Sequence, residues 1–271
     1  LYLMEECARH KKTLIVLDRP NPAGRVIEGF NLRPGWESFV GAAPMPMRHG
    51  LTVGELALYY KSHYKLELEL HIIKMAGYSP DRGPGFGWPT DRAWVNPSPN
   101  AASLNMARAY PGTVLIEGTT LSEGRGTTRA LETIGASDLD FKKVLELMKK
   151  KAPQWLKGAI VRECFFEPTF HKHKGTLCHG LQFHTDLPQY KPQAFKPFRA
   201  VALILKAIRE IKHDYPIYRD FAYEYVTDKL AFDVINGGPE LRAWIDDKNA
   251  KPQDLEKALQ KDEKSWAKDR R

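Results

Sequence analysis

At 271 residues the chain is long enough for one large or two modest domains with a full core. Hydrophobic content of 42% beside 27% charged residues is ordinary for a globular sequence, and no run approaches the roughly 20 apolar residues of a membrane helix. The formal net charge of +8 raises nucleic acid as a partner, yet acids interrupt the basic residues in K-A-L-Q-K-D-E-K-S-W-A-K-D-R-R, the pattern of a solvated helix face, so no nucleic-acid partner is expected.

The chain opens on L-Y-L-M-E-E-C-A-R-H, where Leu1, Met4 and Ala8, with Leu3 and Cys7 beside them, form a helical stripe. No charged n-region, apolar h-region and cleavage site are present, so the sequence reads as a fragment or processed piece and its localisation is not legible. Cys7, Cys164 and Cys178 are too few and too scattered for a disulfide framework and read as small buried or partly buried thiols. The run 13–17 predicts a short strand buried on both faces, ending in the turn Asp18-Arg19-Pro20-Asn21-Pro22. Thr52 followed by Glu55 predicts a capping box that opens a helix over the segment 52–60. Residues 71–75 and 113–116 predict further strands of the same sheet, and 77–112, dense in Gly, Pro and Asn, a long loop.

Beyond it, 138–151 predicts a helix, 160–170 a strand, 198–213 a helix, and the segment after Pro252 a polar helix. Alternating helix and buried strand point to an α/β fold with an open, mostly parallel sheet. A change of character near Pro153 divides the chain at about residue 155, giving a larger part, 1–155, and a smaller α+β domain, 156–271, that contributes to a cleft.

In open α/β sheets ligands bind beyond the carboxyl ends of the strands. That rule selects Asp18 and Arg19 after the first strand and Glu117 after the third. The following loop adds Ser122, Glu123, Arg125, Thr127 and Thr128. Paired carboxylates suit glycoside cleavage, one as acid and the other as base or nucleophile. Each also has a plain structural reading: Asp18 could cap its own turn, and Glu123 could pair with Arg125. G-T-T-L-S-E-G-R-G lacks the Lys of a P-loop, and no G-x-G-x-x-G opens a helix, so no nucleotide cofactor is expected. The stretch H-K-H-K-G-T-L-C-H-G (171–180) holds His and Cys without zinc spacing, and no metal is expected.

Several motifs occur in order: V-L-D-R-P-N-P (16–22), S-F-V-G-A-A-P-M-P-M-R-H-G-L-T-V-G-E-L-A (38–57), P-S-P-N (97–100), Y-P-G (110–112), E-G-T-T-L-S-E-G-R-G-T-T (117–128) and F-E-P-T-F-H-K-H-K-G-T-L-C-H-G-L-Q (166–182). As an ordered set covering almost the whole chain, they resemble the exo-β-N-acetylmuramidase family, glycoside hydrolase family 171. The family's P-E-H-G and D-x-Q-D-V-G motifs have no counterpart, so the resemblance implies a chain without the family's N-terminal part, including a candidate catalytic glutamate. It also implies a Rossmann-like domain, of which 1–155 would be the C-terminal part, and a smaller C-terminal domain. The implied activity is release of N-acetylmuramic acid from the non-reducing end of peptidoglycan fragments, without metal or nucleotide, by a protein exported to the periplasm or cell exterior. Glu117, Glu123 and Asp18 would then be the catalytic candidates. Arg19, Asn21, His49, Asn100, Ser122, Arg125, Thr127 and Lys172 would bind the sugar, with cations favoured because muramic acid carries a lactyl carboxylate. Glycines in 117–128 would let the backbone approach the ring.

Overall fold

A computed structural model describes residues 1–78, 88 and 92–270. Helix α1 (Tyr2–Arg9) leads into β1 (Leu14–Leu17), followed by β2 (Glu28–Asn31), β3 (Pro46–Arg48), α2 (Val53–His63) and β4 (Leu70–Ile73). The expected capping box is formed: Thr52 Oγ1 accepts from the Glu55 amide at 3.2 Å, and the Glu55 carboxylate accepts from the Thr52 amide at 2.9 Å. Strands β1 and β4 pair in parallel, Leu14 opposite Leu70 through Leu17 opposite Ile73. Their burial alternates. Leu14, Val16, Leu70 and Ile72 pack with Met4, Ala57 and Leu68, while Ile15, Leu17 and Ile73 are exposed. The expected burial of 13–17 on both faces is therefore corrected: among the described residues one face of the pair is covered.

Strands β2 and β3 pair antiparallel, with an irregular register between Glu28 and Asn31. Helix α3 (Leu104–Thr113) then occupies ground expected to be loop, and 79–87 and 89–91 of that segment lie outside the described residues. Ser103 caps α3 by accepting the Met106 amide at 2.9 Å. The strand expected at 113–116 does not form. Val114–Gly118 is a 3-10 helix continuing from α3, with Leu115 and Ile116 fully buried. A four-residue apolar run fits a buried helical turn as well as a strand, and packing against its neighbours decides between them. Pro111 lies inside α3, where it removes one backbone donor. Gly112 beside it allows contact with the next layer: a Cβ there would sit 2.1 Å from the carbonyl oxygen of Pro197.

Strand β5 (Thr133–Ala136), helix α4 (Phe141–Lys151), β6 (Ile160–Phe166) and β7 (Cys178–His184) follow. The three strands form an antiparallel sheet in the order β5-β7-β6, which draws on both sides of residue 155. The strand expected over 160–170 ends at Phe166. The chain closes with α5 (Pro197–Ile211), α6 (Ala231–Asn236), α7 (Glu240–Asp246) and α8 (Pro252–Asp269). No described helix is long and apolar enough to cross a membrane. The architecture is thus mixed α/β, with one parallel pair and two antiparallel sheets.

Helix α5 is the central element. All its residues from Pro197 to Ile208 are buried, and α3, α4 and α7 pack around it. Its N-terminus meets the buried carboxylate of Glu28, which accepts from the Arg199 amide at 2.9 Å and the Phe198 amide at 3.3 Å, an anion where the helix dipole favours one. Arg199, almost fully buried, binds Glu256 at 2.9 Å and Glu263 at 2.6 Å on α8 and lies 3.4 Å from Glu28. Burial still raises the Glu28 pKa above its ordinary value, against the pull of Arg199 and Arg48. Arg199→Met strips the cation from Glu28 and is expected to cost about 3–5 kcal/mol. Glu256→Gln, at the more exposed end of the network, is expected to cost within about 1 kcal/mol. Equal midpoint shifts for the two variants in denaturant titrations would contradict this ranking.

Candidate active site

Two loops build the site. The first is 117–128. Ser122 exchanges both backbone hydrogen bonds with Gly135 of β5, at 2.8 and 3.0 Å, which fixes the loop along the sheet. Ser122 Oγ then accepts from the Gly124 amide at 3.1 Å, and Thr127 Oγ1 donates to the Gly124 carbonyl at 2.7 Å, so both hydroxyls serve the turn. The second loop, 167–176, docks at Gly126, whose carbonyl accepts from the amide and hydroxyl of Thr169 at 3.0 and 2.9 Å. Gly126 has φ +86°, and a Cβ there would lie 2.7 Å from the amides of Thr169 and Phe170. The close approach that this glycine permits is therefore to the protein's own second loop.

Docking delivers Lys172 beneath Glu123. The Glu123 carboxylate, with its side chain almost wholly buried, meets Lys172 Nζ at 2.7 Å, Arg125 Nε at 2.9 Å and His171 Nδ1 at 3.4 Å. Lys172 Nζ also donates to the carbonyls of Ile116 at 2.7 Å and Thr119 at 3.0 Å. Arg125 reaches onward to Glu117 at 2.6 Å, and the other Glu117 oxygen accepts from Tyr223 Oη at 2.9 Å. Burial alone would raise the Glu123 pKa, but the Lys172 charge and hydrogen bond outweigh it and hold the carboxyl below its ordinary 4.5. Burial pulls Lys172 below its ordinary value, against Glu123. Burial, with Glu117 nearby, pushes Tyr110 up to about 12. Glu117, Glu123, Arg125 and Lys172 are thus brought together, with Lys172 turned to Glu123.

Arg125 lines a cavity of about 480 Å³ that also gathers Asn21, His49 and Asn100, with Arg48, Trp94 and Tyr110. Asn21 engages its amide locally, donating to the Leu51 carbonyl at 3.0 Å and accepting from the Ala23 amide at 2.9 Å. His49 Nδ1 accepts from the Leu51 amide at 3.1 Å, and burial lowers its pKa to about 4, so the ring is neutral with its proton on Nε2. Neither Asp nor Glu is among the described residues lining this cavity. Asp18 and Arg19 line a different cavity, together with Lys74 and Arg92. The Asp18 carboxylate accepts from the Gly54 amide at 2.9 Å, Thr52 Oγ1 at 3.0 Å and the Arg19 amide at 3.0 Å. It caps the N-terminus of α2, where unpaired amides demand an acceptor. Tyr110, Trp94 and Tyr223 were not singled out from the sequence. The first two sit in or beside quoted motifs, whereas nothing local marks Tyr223. No group of three or more His, Cys, Asp or Glu among the described residues could hold a metal ion.

Because the folded pKa of Glu123 lies below its unfolded value, its contribution to stability is complete above about pH 4.5 and is lost as the pH falls further. Glu123→Gln is expected to cost about 3–5 kcal/mol at neutral pH, by leaving Lys172 buried without its anion, and to flatten the acid limb of the stability profile. Thermal melts between pH 3 and 8 measure both effects, and an acid limb unchanged in the variant would refute the assignment.

The comparisons with known proteins bear on the whole chain. Residues 1–105 match the family model described as exo-beta-N-acetylmuramidase NamZ, N-terminal, and residues 108–271 match exo-beta-N-acetylmuramidase NamZ, C-terminal. The peptidoglycan beta-N-acetylmuramidase NamZ of Bacillus subtilis (strain 168) is 40% identical over 232 residues, which is 85% of this chain and 53% of that protein. The chain therefore spans about half the length of the curated relative it matches. Crystal structures of two DUF1343 family proteins from Bacteroides fragilis NCTC 9343 are also similar. One has a TM-score of 0.81 at 25% identity, over 98% of this chain and 67% of that one. The other has a TM-score of 0.72 at 23% identity, over 99% and 67%. The chain belongs to the NamZ exo-beta-N-acetylmuramidase family.

Proposed function

We propose that this chain forms the sugar-recognition part of an exo-acting glycoside hydrolase, which releases N-acetylmuramic acid from the non-reducing end of peptidoglycan fragments. One observation carries the reading: Arg125 lies in the wall of a cavity of about 480 Å³ while Glu117 and Glu123 tether it from behind. A guanidinium fixed on two sides loses little freedom on binding, and its planar fork matches the lactyl carboxylate that distinguishes muramic acid from glucosamine. Trp94 adds an aromatic side chain to the wall, and Asn100 and His49 add polar groups suited to hydroxyl or acetamido groups.

Glu123 is assigned to positioning, because a buried carboxylate held below its ordinary pKa is a poor proton donor near neutrality. Glu117, joined to Arg125 and Tyr223, fixes the guanidinium from behind the cavity wall. Asp18 supports the scaffold through α2. We also infer a Rossmann-like arrangement around β1 and β4, supported by their parallel pairing and by α2 lying between them in sequence and packing on β1.

A second reading is binding of cell-wall sugars without turnover. It is favoured by the lack of Asp or Glu among the described lining residues. On the hydrolytic reading, Arg125→Ala is expected to lower kcat/KM on a chromogenic β-N-acetylmuramide by about 100-fold, largely through KM, with little effect on any turnover of the matching N-acetylglucosaminide. Glu117→Gln, which loosens the guanidinium, is expected to raise KM on the muramide by about 3- to 10-fold with a smaller effect on kcat. Equal losses on both glycosides would refute recognition of the lactyl group at Arg125. Tight binding of muramic acid with no release from any β-muramide would select the non-catalytic reading.

A further inference from the structure

Along the sequence, acids and bases alternate over 251–271, which by itself gives a face of little net charge. Helix α8 sorts the two signs. Asp262 turns inward to Arg33 Nη1 at 2.8 Å and the Asn31 amide at 3.0 Å, and Glu256 and Glu263 bind Arg199 at 2.9 and 2.6 Å. Asp254 accepts from the Lys251 amide at 2.7 Å and so serves the start of the helix. Lys257, Lys261, Lys264 and Lys268 remain on the outside, all exposed, and none of them forms an ion pair with a carboxylate among the described residues. At 3.6 residues per turn, these four positions fall within an arc of about 60° and follow the helix axis for about 16 Å. Like charges at such spacings repel one another and weaken a helix, so local helix stability does not account for the arrangement. The fold supplies no counter-charge on this face. Its complement is an anion from outside.

We propose that the lysine stripe of α8 is a docking surface for an unbranched polyanion carrying phosphate groups along its backbone. Compact ammonium groups on flexible stems meet repeated phosphates without demanding a fixed planar geometry. Each phosphate neutralised releases counterions, so affinity accumulates along a polymer and stays low for a single phosphate. A membrane surface suits the stripe less well. The apolar residues of α8, Leu255, Leu259 and Trp266, are buried in the protein and cannot enter a bilayer, and the stripe is about one side chain wide, with Glu256 and Glu263 on its flank. Nucleic acid also suits it less well, because the exposed positions beside the lysines are Ala258, Gln260 and Ser265, with no aromatic ring or guanidinium to stack on a base. None of the four lysines lines the Arg125 cavity, so this surface is separate from the sugar site. The two are joined through the helix: on its inner side Trp266 Nε1 donates to the carbonyl of His49 at 2.8 Å, and His49 lines that cavity. A polymer seated on the stripe would hold the protein by the helix that backs the cavity.

Long-chain inorganic polyphosphate is titrated into the chain by calorimetry at several salt concentrations, a readout that needs no turnover and is separate from whether muramides are hydrolysed. Combining Lys257→Gln, Lys261→Gln, Lys264→Gln and Lys268→Gln is expected to weaken binding at low salt by at least about 10-fold and to flatten the slope of log K against log salt by about 2–3. Combining Lys142→Gln, Lys143→Gln, Lys149→Gln and Lys150→Gln removes the same charge from exposed positions of α4 and is expected to leave the affinity within about 2-fold. All eight positions are exposed, so both variants are expected to fold. Equal losses in the two variants would overturn the proposal, since net charge alone would then explain the binding. So would orthophosphate binding as tightly as polyphosphate at equal phosphate concentration, or no binding of either. Tighter binding to phosphatidylglycerol vesicles would assign the stripe to a membrane instead, and tighter binding to oligothymidylate would assign it to nucleic acid.

Discussion

A carboxylate taken out of water is tolerated only where cations and donors replace its hydration shell, and at the candidate site that demand falls on Glu123. Lys172 and Arg125 answer it from two separate loops. To bring Lys172 under the carboxylate, the loop 167–176 has to lie on the loop 117–128, and the φ of +86° at Gly126 permits the contact. The ammonium group is held in turn by the carbonyls of Ile116 and Thr119, which ties it to the 3-10 helix that follows α3. Arg125 then extends the order to Glu117 and Tyr223. A single buried negative charge thus links four segments of chain into one wall.

The framework behind that wall is set by packing. Helix α3 places Tyr110 in the cavity and Glu117 one turn beyond its own end, and Gly112 lets it lie against the start of α5 backbone to backbone. Helix α5 is anchored by Glu28 at its N-terminus and by Arg199 to α8. Displacement of α5 would therefore carry α3, and with it the cavity wall. The cavity wall and the core share this scaffold, and Arg48, whose charge acts on Glu28, also lines the Arg125 cavity.

Features fixed by neighbours in sequence were legible before the structure. The capping box at Thr52 and Glu55 follows from spacing alone, and the long apolar periodicity of 198–213 marked α5. The grouping of Glu117, Glu123 and Arg125 came from proximity along the chain. Where the outcome depended on remote partners, sequence failed. Val114-Leu115-Ile116 is too short to declare its own geometry, and contact with α6 makes it helical. Asp18 looked like a ligand-facing acid, but the amides opening α2 lie within its reach. Lys172 was legible as a cation, whereas its anion lies in a loop far away in sequence. Tyr223 is linked to Glu117 only through the fold, and no local pattern could have named it.

The environment of Lys172 has a consequence for chemical labelling. Its ammonium group points at three fixed oxygens, on Glu123, Ile116 and Thr119, and its side chain is only 8% accessible. An amine so buried, with three oxygens closed around it, is out of reach of an electrophile in solution. Acylating or methylating reagents that neutralise exposed lysines such as Lys142 and Lys143 would therefore pass it over. The protein can be stripped of much of its surface cationic character while the charge beneath Glu123 stays in place.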